Sequence, residues 1–260
     1  MSLLISQTAP ETGIIVQARM GSTRLPGKVL MPFYENRSIL EILLQRLQQN
    51  AARVPVWLAT SALQADDAVA TVAAEAGVGC FRGHETDVLQ RFTQAAQQAG
   101  FTRIIRVCAD NPFLDAGLLD ELIAASMVST ADYCSYQLSG ALPAIRSHWG
   151  IFAEYVTLDA LKRAADATAD MFYHEHVTNY IYGHPEKFNV QWINAPEGVY
   201  ENLSVRLTID TPEDFAALQQ LYTDLANNSK PITFKNILAE LKSRPALREE
   251  MQRQIDRFQK

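Results

Sequence analysis

Apolar positions along this chain follow two alternating rhythms: short β-branched runs, and longer stretches spaced at three and four residues. Residues 13–18 (GIIVQA) are the first short run and predict a buried strand. Leu40, Leu43, Leu44 and Leu47 follow at i, i+3, i+4 and i+7, which predicts an amphipathic helix with Ser38 as its N-cap. Residues 54–60 predict a second strand. Val69, Val72, Ala73 and Ala76 predict a helix closed by Gly77. A strand at 78–82, a helix through Leu89, Phe92 and Ala96 ending near Gly100, and a strand at 103–108 (RIIRVC) repeat the rhythm. One more helix, around Leu118, Leu119, Leu122 and Ile123, leads to a strand at 132–136.

Such alternation predicts an α/β fold with a Rossmann-like, mostly parallel sheet, in which ligands collect beyond the C-terminal ends of the strands. Between residues 137 and 200 the rhythm lapses and Gly, Pro, His, Trp and Tyr become frequent. That segment reads as an inserted excursion of one domain spanning 1–260, serving as an acceptor-side wall, a dimerisation arm, or both. The aromatic residues Trp149, Phe172, Tyr173 and Tyr180 within it, with Tyr133 and Tyr136 just before it, suit a pocket or, preferably, an interface between subunits. A strand is expected again at 205–209. Thr211, Pro212 and Asp214 then supply an N-cap, a first-turn proline and an acidic third position for a helix. Two charged helices, separated by Pro245, occupy 231–260.

Composition narrows the function. Hydrophobic residues make up 48% and charged residues 20%, the balance of a globular chain. A formal charge of −6 argues against nucleic acid as partner. The apolar run at residues 3–5 is too short for a signal or a membrane span, so a cytoplasmic protein without membrane association is expected. Cys80, Cys108 and Cys134 are widely spaced and odd in number, and read as reduced packing residues.

The strongest local signal is the string QARMGSTRLPGK at 17–28, directly after the first strand. Gly21 and Ser22 let backbone amides approach an anion, while Arg19, Arg24 and Lys28 can neutralise phosphate oxygens. The loop is not a Walker A motif, because five residues separate Gly21 from Gly27 and Val29 replaces the hydroxyl residue. Any one of these residues alone reads as a solvated basic turn; the whole string reads as a polyphosphate site. Asp110 and Asp210 fall at two expected strand ends, a sensible pair for a hard cation that keeps several waters. Taken singly, Asp110 also fits a turn former ahead of Pro112, and Asp210 an exposed residue before an N-cap.

The same string, with FRGHETDVLQR at 81–91, RVCADNP at 106–112, EHVT at 175–178 and RLTIDTPED at 206–214, resembles the cytidylyltransferase family of the spore coat polysaccharide biosynthesis type. That family is related to the synthetases of cytidine monophosphate derivatives of ketodeoxyoctonate and neuraminic acid. The resemblance implies a fold of the nucleotide-diphospho-sugar transferase type and transfer of CMP from CTP to a small acidic sugar, with Mg2+ held by Asp110 and Asp210. It implies that Arg19, Ser22 and Lys28 hold the triphosphate and that Ala18, Thr60 and Arg82 lie near base and ribose. Arg91 either contacts the nucleotide or braces the loop through a carboxylate. Glu154, His174 and His176 match acceptor-side positions, although His174 and Asn179 depart from the family's usual Arg and Pro. No general base is evident. A glycosyltransferase or a silent nucleotide-binding protein are the rival readings; the absence of an Asp-x-Asp string weighs against the first and the retained aspartates against the second.

Overall fold

The computed structural model describes residues 11–258. The short apolar run at residues 3–5 lies outside them. In chain order the elements are β1 (Thr12–Gln17), β2 (Pro32–Tyr34), β3 (Arg37–Ser38), α1 (Ile39–Leu47), β4 (Val56–Ser61), α2 (Asp67–Glu75), β5 (Gly79–Gly83), α3 (Val88–Ala99), β6 (Arg103–Cys108) and α4 (Ala116–Val128). They continue as β7 (Tyr133–Leu138), β8 (Leu142–Pro143), β9 (Glu154–Thr157), α5 (Leu158–Ala167), α6 (Met171–Glu175), α7 (Asn179–Gly183), β10 (Val190–Asn194), α8 (Pro212–Asn227), α9 (Phe234–Lys242) and α10 (Pro245–Arg257). No helix among the described residues is long and apolar enough to cross a membrane.

The main sheet runs β10-β7-β9-β6-β1-β4-β5, with β8 paired to β7 outside this path. β1 pairs in parallel with both β4 and β6, so the chain turns from one half of the sheet to the other at β1 and β6. This switch point opens a crevice beyond their C-terminal ends. Helices cover both faces. Ile14 and Val16 of β1 pack into one core, beside α1, α2, α4 and α8. Ile15 packs into the other, beside α3, α5 and α7, as the two-residue period of a strand requires.

Helix starts follow local chemistry. Ser38 accepts from the amide of Glu41, whose carboxylate returns to the Ser38 amide; Thr211 and Asp214 form the same reciprocal cap on α8. The β2–β3 hairpin, absent from the pattern reading, turns through positive φ at Glu35 (49°) and Asn36 (60°).

Two expectations are corrected. Residues 205–209 form no strand, although Val205, Leu207 and Ile209 are buried on one side. Their amides go to irregular segments instead, Leu207 N–H to the His148 carbonyl at 2.7 Å and Ile209 N–H to the Asp110 carbonyl at 3.2 Å. The 137–200 excursion, in turn, is partly inside the sheet. β9 lies antiparallel between β6 and β7, and β10 runs parallel to β7. Alternation reports burial, and burial without ladder pairing gave the false strand.

Candidate active site

The loop at 18–28 leaves β1 and is tied down at both ends. Asp66, only 2% exposed, accepts from the Met20 amide at 2.6 Å, from the Ser61 amide at 3.2 Å and from the Ser61 hydroxyl. Gly27 turns the return with φ +74°, and its amide donates to the Met20 carbonyl at 2.9 Å. Lys28 opens a single 3-10 turn and points inward, 8% exposed.

The two aspartates converge, but only Asp110 stands at a strand end, because residues 205–209 form no strand. Asp110 follows β6, and Asp210 precedes the Thr211 cap of α8. Lys28 Nζ donates to Asp110 Oδ2 at 3.0 Å, to Asp210 Oδ1 at 3.4 Å and to the Ile209 carbonyl. Burial works against this ammonium, but the two carboxylates outweigh it and raise its pKa above 10.5. Arg24 also reaches Asp210 Oδ1 at 3.1 Å.

Behind Asp210 stands Arg206, 1% exposed, which the sequence reading passed over. It grips Asp214 with two bonds of 2.7 Å, reaches Asp210 Oδ2 at 3.1 Å and lies 2.6 Å from His148 Nδ1. Asp214 also accepts from the amides of Asp210 and Thr211, both at 3.0 Å. Arg106, within β6, is joined to Glu154 and, at 3.2 Å, to Gln17 Oε1. A signal for both arginines existed: each stands in an otherwise apolar run four residues before the functional aspartate. Asp66 gave no such signal.

Two cavities meet here. One, of about 460 Å³, is lined by Ala18, Arg19, Gly21, Ser22, Arg24 and Lys28 of the loop, with Asp110, Asp210, Glu175 and His176. The other, of about 620 Å³, is walled by Arg106, Asn111, Arg146, Phe172, Tyr173, His176, Asn179, Tyr182 and Thr208. They share Arg24, Cys108, Asp110, His176 and Asp210. Cys108 is thus a wall residue as well as a packing one, whereas Cys134 is buried and its thiol is pushed up to about 11. Asn111 Oδ1, Thr208 Oγ1 and Arg106 Nε are buried without hydrogen-bond partners among the described residues. Of the six aromatic residues singled out, Phe172 and Tyr173 line the larger cavity, while Tyr133, Tyr136, Trp149 and Tyr180 are core.

Several expected residues take other places. Thr60 is fully buried and its hydroxyl has no partner among the described residues, and Arg82 is engaged with the carbonyls of Ser61 and Leu63 and with Asp67 at 2.7 Å. Neither lines the two cavities. Arg91 is a brace, but through the carbonyls of His84 (2.6 Å) and Glu85 (3.0 Å) rather than a carboxylate. Burial, helped by Arg19, pushes its guanidinium down to about 10. Glu154 is 1% exposed and sealed by Arg106, by Tyr133 (2.6 Å) and by Thr178 (2.7 Å), so it sits behind the larger cavity instead of on its wall. His174 ties α6 to the start of α3. Its two ring nitrogens face the Thr168 carbonyl (2.9 Å) and Asp87 Oδ2 (2.8 Å), and because both partners are acceptors they favour the cation and raise its pKa. Arg19 links the same helix through Glu175 at 3.2 Å. His176 lies where both cavities meet.

Among the described residues no group of three or more His, Cys, Asp and Glu side chains is placed to hold a metal by itself. Two carboxylates beside a basic loop nonetheless suit a hard cation such as magnesium, which takes few protein ligands and keeps several waters.

This geometry agrees with what the chain is similar to. A family model described as cytidylyltransferase matches residues 13–250. The spore coat polysaccharide biosynthesis protein SpsF of Bacillus subtilis (strain 168) is 41% identical over 213 residues, 80% of this chain and 85% of that protein. The structure of a cytidylyltransferase from Leptospira borgpetersenii serovar Hardjo-bovis superposes with a TM-score of 0.80 at 28% identity, covering 91% of this chain and 96% of that one. CMP:2-keto-3-deoxy-manno-octonic acid synthetase, in complex with CTP, shares the fold with a TM-score of 0.61 at 15% identity, covering 82% and 98%. A nucleotidyltransferase fold, a basic loop at its switch point and a family match along most of the sequence lead to one conclusion: the chain belongs to the cytidylyltransferase family.

Proposed function

We propose that this enzyme transfers CMP from CTP to a small sugar acid of the nonulosonic kind, with release of pyrophosphate, for polysaccharide or glycan synthesis in the cytoplasm. The observation that carries the reading is the junction of two cavities at Asp110 and Asp210, one walled by the basic loop and the other by arginine and aromatic side chains. Such a junction lets an acceptor hydroxyl from the larger cavity attack the α-phosphorus of a triphosphate in the smaller one. The new bond joins acceptor oxygen to phosphorus, and the bond to the β-phosphate oxygen breaks in line with it. Arg19, Lys28, Gly21 and Ser22 orient the triphosphate and offset its charge. Asp110 and Asp210 would hold magnesium, which would supply charge neutralisation at the phosphoryl group being transferred. The related proteins support the cytidine preference by name and the CTP complex of one of them supports the nucleotide. Pyrophosphate release measured with each nucleoside triphosphate against a panel of sugar acids tests the reading; no acid-dependent release with CTP would reject it.

An acidic acceptor is supported by Arg146. Arg24 is paired with Asp210 and Arg106 with Glu154, but Arg146, on the wall of the larger cavity, has no carboxylate partner among the described residues. Arg146→Ala is expected to raise the KM for the acid about 10- to 100-fold, the worth of one charge-assisted hydrogen bond, with the KM for CTP little changed. An unchanged acid KM in steady-state kinetics would remove Arg146 from that role.

The proposal includes a homodimer paired through 137–200, where Met171 and Phe172 are about half exposed. Light scattering at micromolar concentration should read twice the chain mass, and a monomer would reject the pairing.

A further inference from the structure

Lys28 differs from the other cations of its loop in what it holds. Its ammonium is buried against Asp110 Oδ2 at 3.0 Å, Asp210 Oδ1 at 3.4 Å and the Ile209 carbonyl. Two carboxylate oxygens and one carbonyl oxygen turned on one point form a donor set that a hard cation takes. Here a tethered monovalent cation fills it. Arg24 adds a second positive charge at 3.1 Å from Asp210, while Arg206 is matched by Asp214. The two aspartates therefore meet two loop cations, and a divalent cation arriving alone encounters a neutralised site with an ammonium at its centre.

The same lysine lines the cavity of the basic loop, beside Arg19 and Ser22. Its side chain is flexible, and its ammonium can exchange one set of oxygens for another by rotation. We infer that Lys28 is an internal counter-cation. In the nucleotide-free protein it closes the Asp110–Asp210 site to a divalent cation, and a nucleoside triphosphate opens the site by drawing the ammonium onto its phosphate oxygens. This rests on the nucleotidyltransfer reading above. It makes nucleotide and metal binding cooperative, each strengthening the other by the same factor. It also leaves the nucleotide-free protein with little affinity for divalent cations despite its paired carboxylates.

The test is a titration of the nucleotide-free protein with Mn2+ alone, following free Mn2+ by electron paramagnetic resonance. Lys28→Met and Lys28→Gln are each expected to bind Mn2+ about 10- to 100-fold more tightly than the wild type, the usual range of coupling between sites. Lys28→Arg, which keeps the charge, should stay close to wild type. Asp210→Asn added to Lys28→Met should abolish the gain, which separates binding at this pair from adventitious uptake. Circular dichroism of each variant establishes that it is folded. Equal Mn2+ affinity in the wild type and the two neutral variants overturns the inference. If the wild type binds Mn2+ only with CTP present and the neutral variants still gain nothing, the Lys28 assignment alone falls. If no Mn2+ binds even with CTP, the nucleotidyltransfer reading falls with it.

Discussion

Asp110→Asn and Asp210→Asn are each expected to lower magnesium-dependent turnover by at least about 10²-fold, because each swap keeps the side-chain volume and deletes a charge that the proposed reaction needs beside its phosphoryl group. Metal-free nucleotide binding should persist, since the 18–28 loop remains. The two variants should differ in stability. Among the described residues Asp110 forms an ion pair with Lys28 alone, and its loss should cost about 1 kcal/mol or less. Asp210 is shared by Lys28, Arg24 and Arg206, so its loss leaves more cations facing one another. If the carboxylates serve one ion, the double variant should be scarcely slower than either single one. Kinetics across a magnesium titration, with thermal melts of the same proteins, read both effects; near-normal turnover of either single variant at low magnesium sinks the shared site.

Arg206→Ala should be the most damaging change to the fold. The guanidinium is 1% exposed, and removing it leaves Asp214 buried and partly unmatched at the start of α8, with Asp210 free to shift. Breaking a buried ion pair from one side costs about 3 to 5 kcal/mol. The amides of Asp210 and Thr211 still donate to Asp214, which favours the lower end. In a chain of this size the loss corresponds to a fall of roughly 6 to 20 °C in Tm. Arg206→Lys should rescue little, because an ammonium cannot reproduce the two-pronged contact with Asp214. A melt of Arg206→Ala within 2 °C or so of wild type would show that the backbone amides alone hold Asp214.

Arg106 and Arg206 each stand four residues before an aspartate, in the strings at 106–112 and 206–214, yet each is held in part by a group far away in the sequence. An arginine in an apolar run is expensive unless matched, and the remote partners are Glu154, 48 positions from Arg106, and His148, 58 positions from Arg206, whose carboxylate partners Asp210 and Asp214 are local. Spacing within one element carries no information about such partners. The same limit explains Glu154, whose acceptor-side placement gave way to an internal position once β9 was seen to pair with β6.

The sequence by itself determined the α/β alternation from Gly13 to Tyr136, the helix caps at Ser38 and Thr211, and a basic loop directly after the first strand. These follow from local periods, caps and the switch from strand to loop, all set within a few residues. Only the tertiary structure decided that β9 runs antiparallel inside the sheet and that residues 205–209 cross its end without joining a ladder. Only it placed Lys28 between the aspartates and left Arg146 without a carboxylate partner on the wall of the larger cavity. The division has one cause: period and capping are set by neighbours a few residues away, whereas strand pairing and the neutralisation of buried charge are set by groups that meet only when the chain closes on itself.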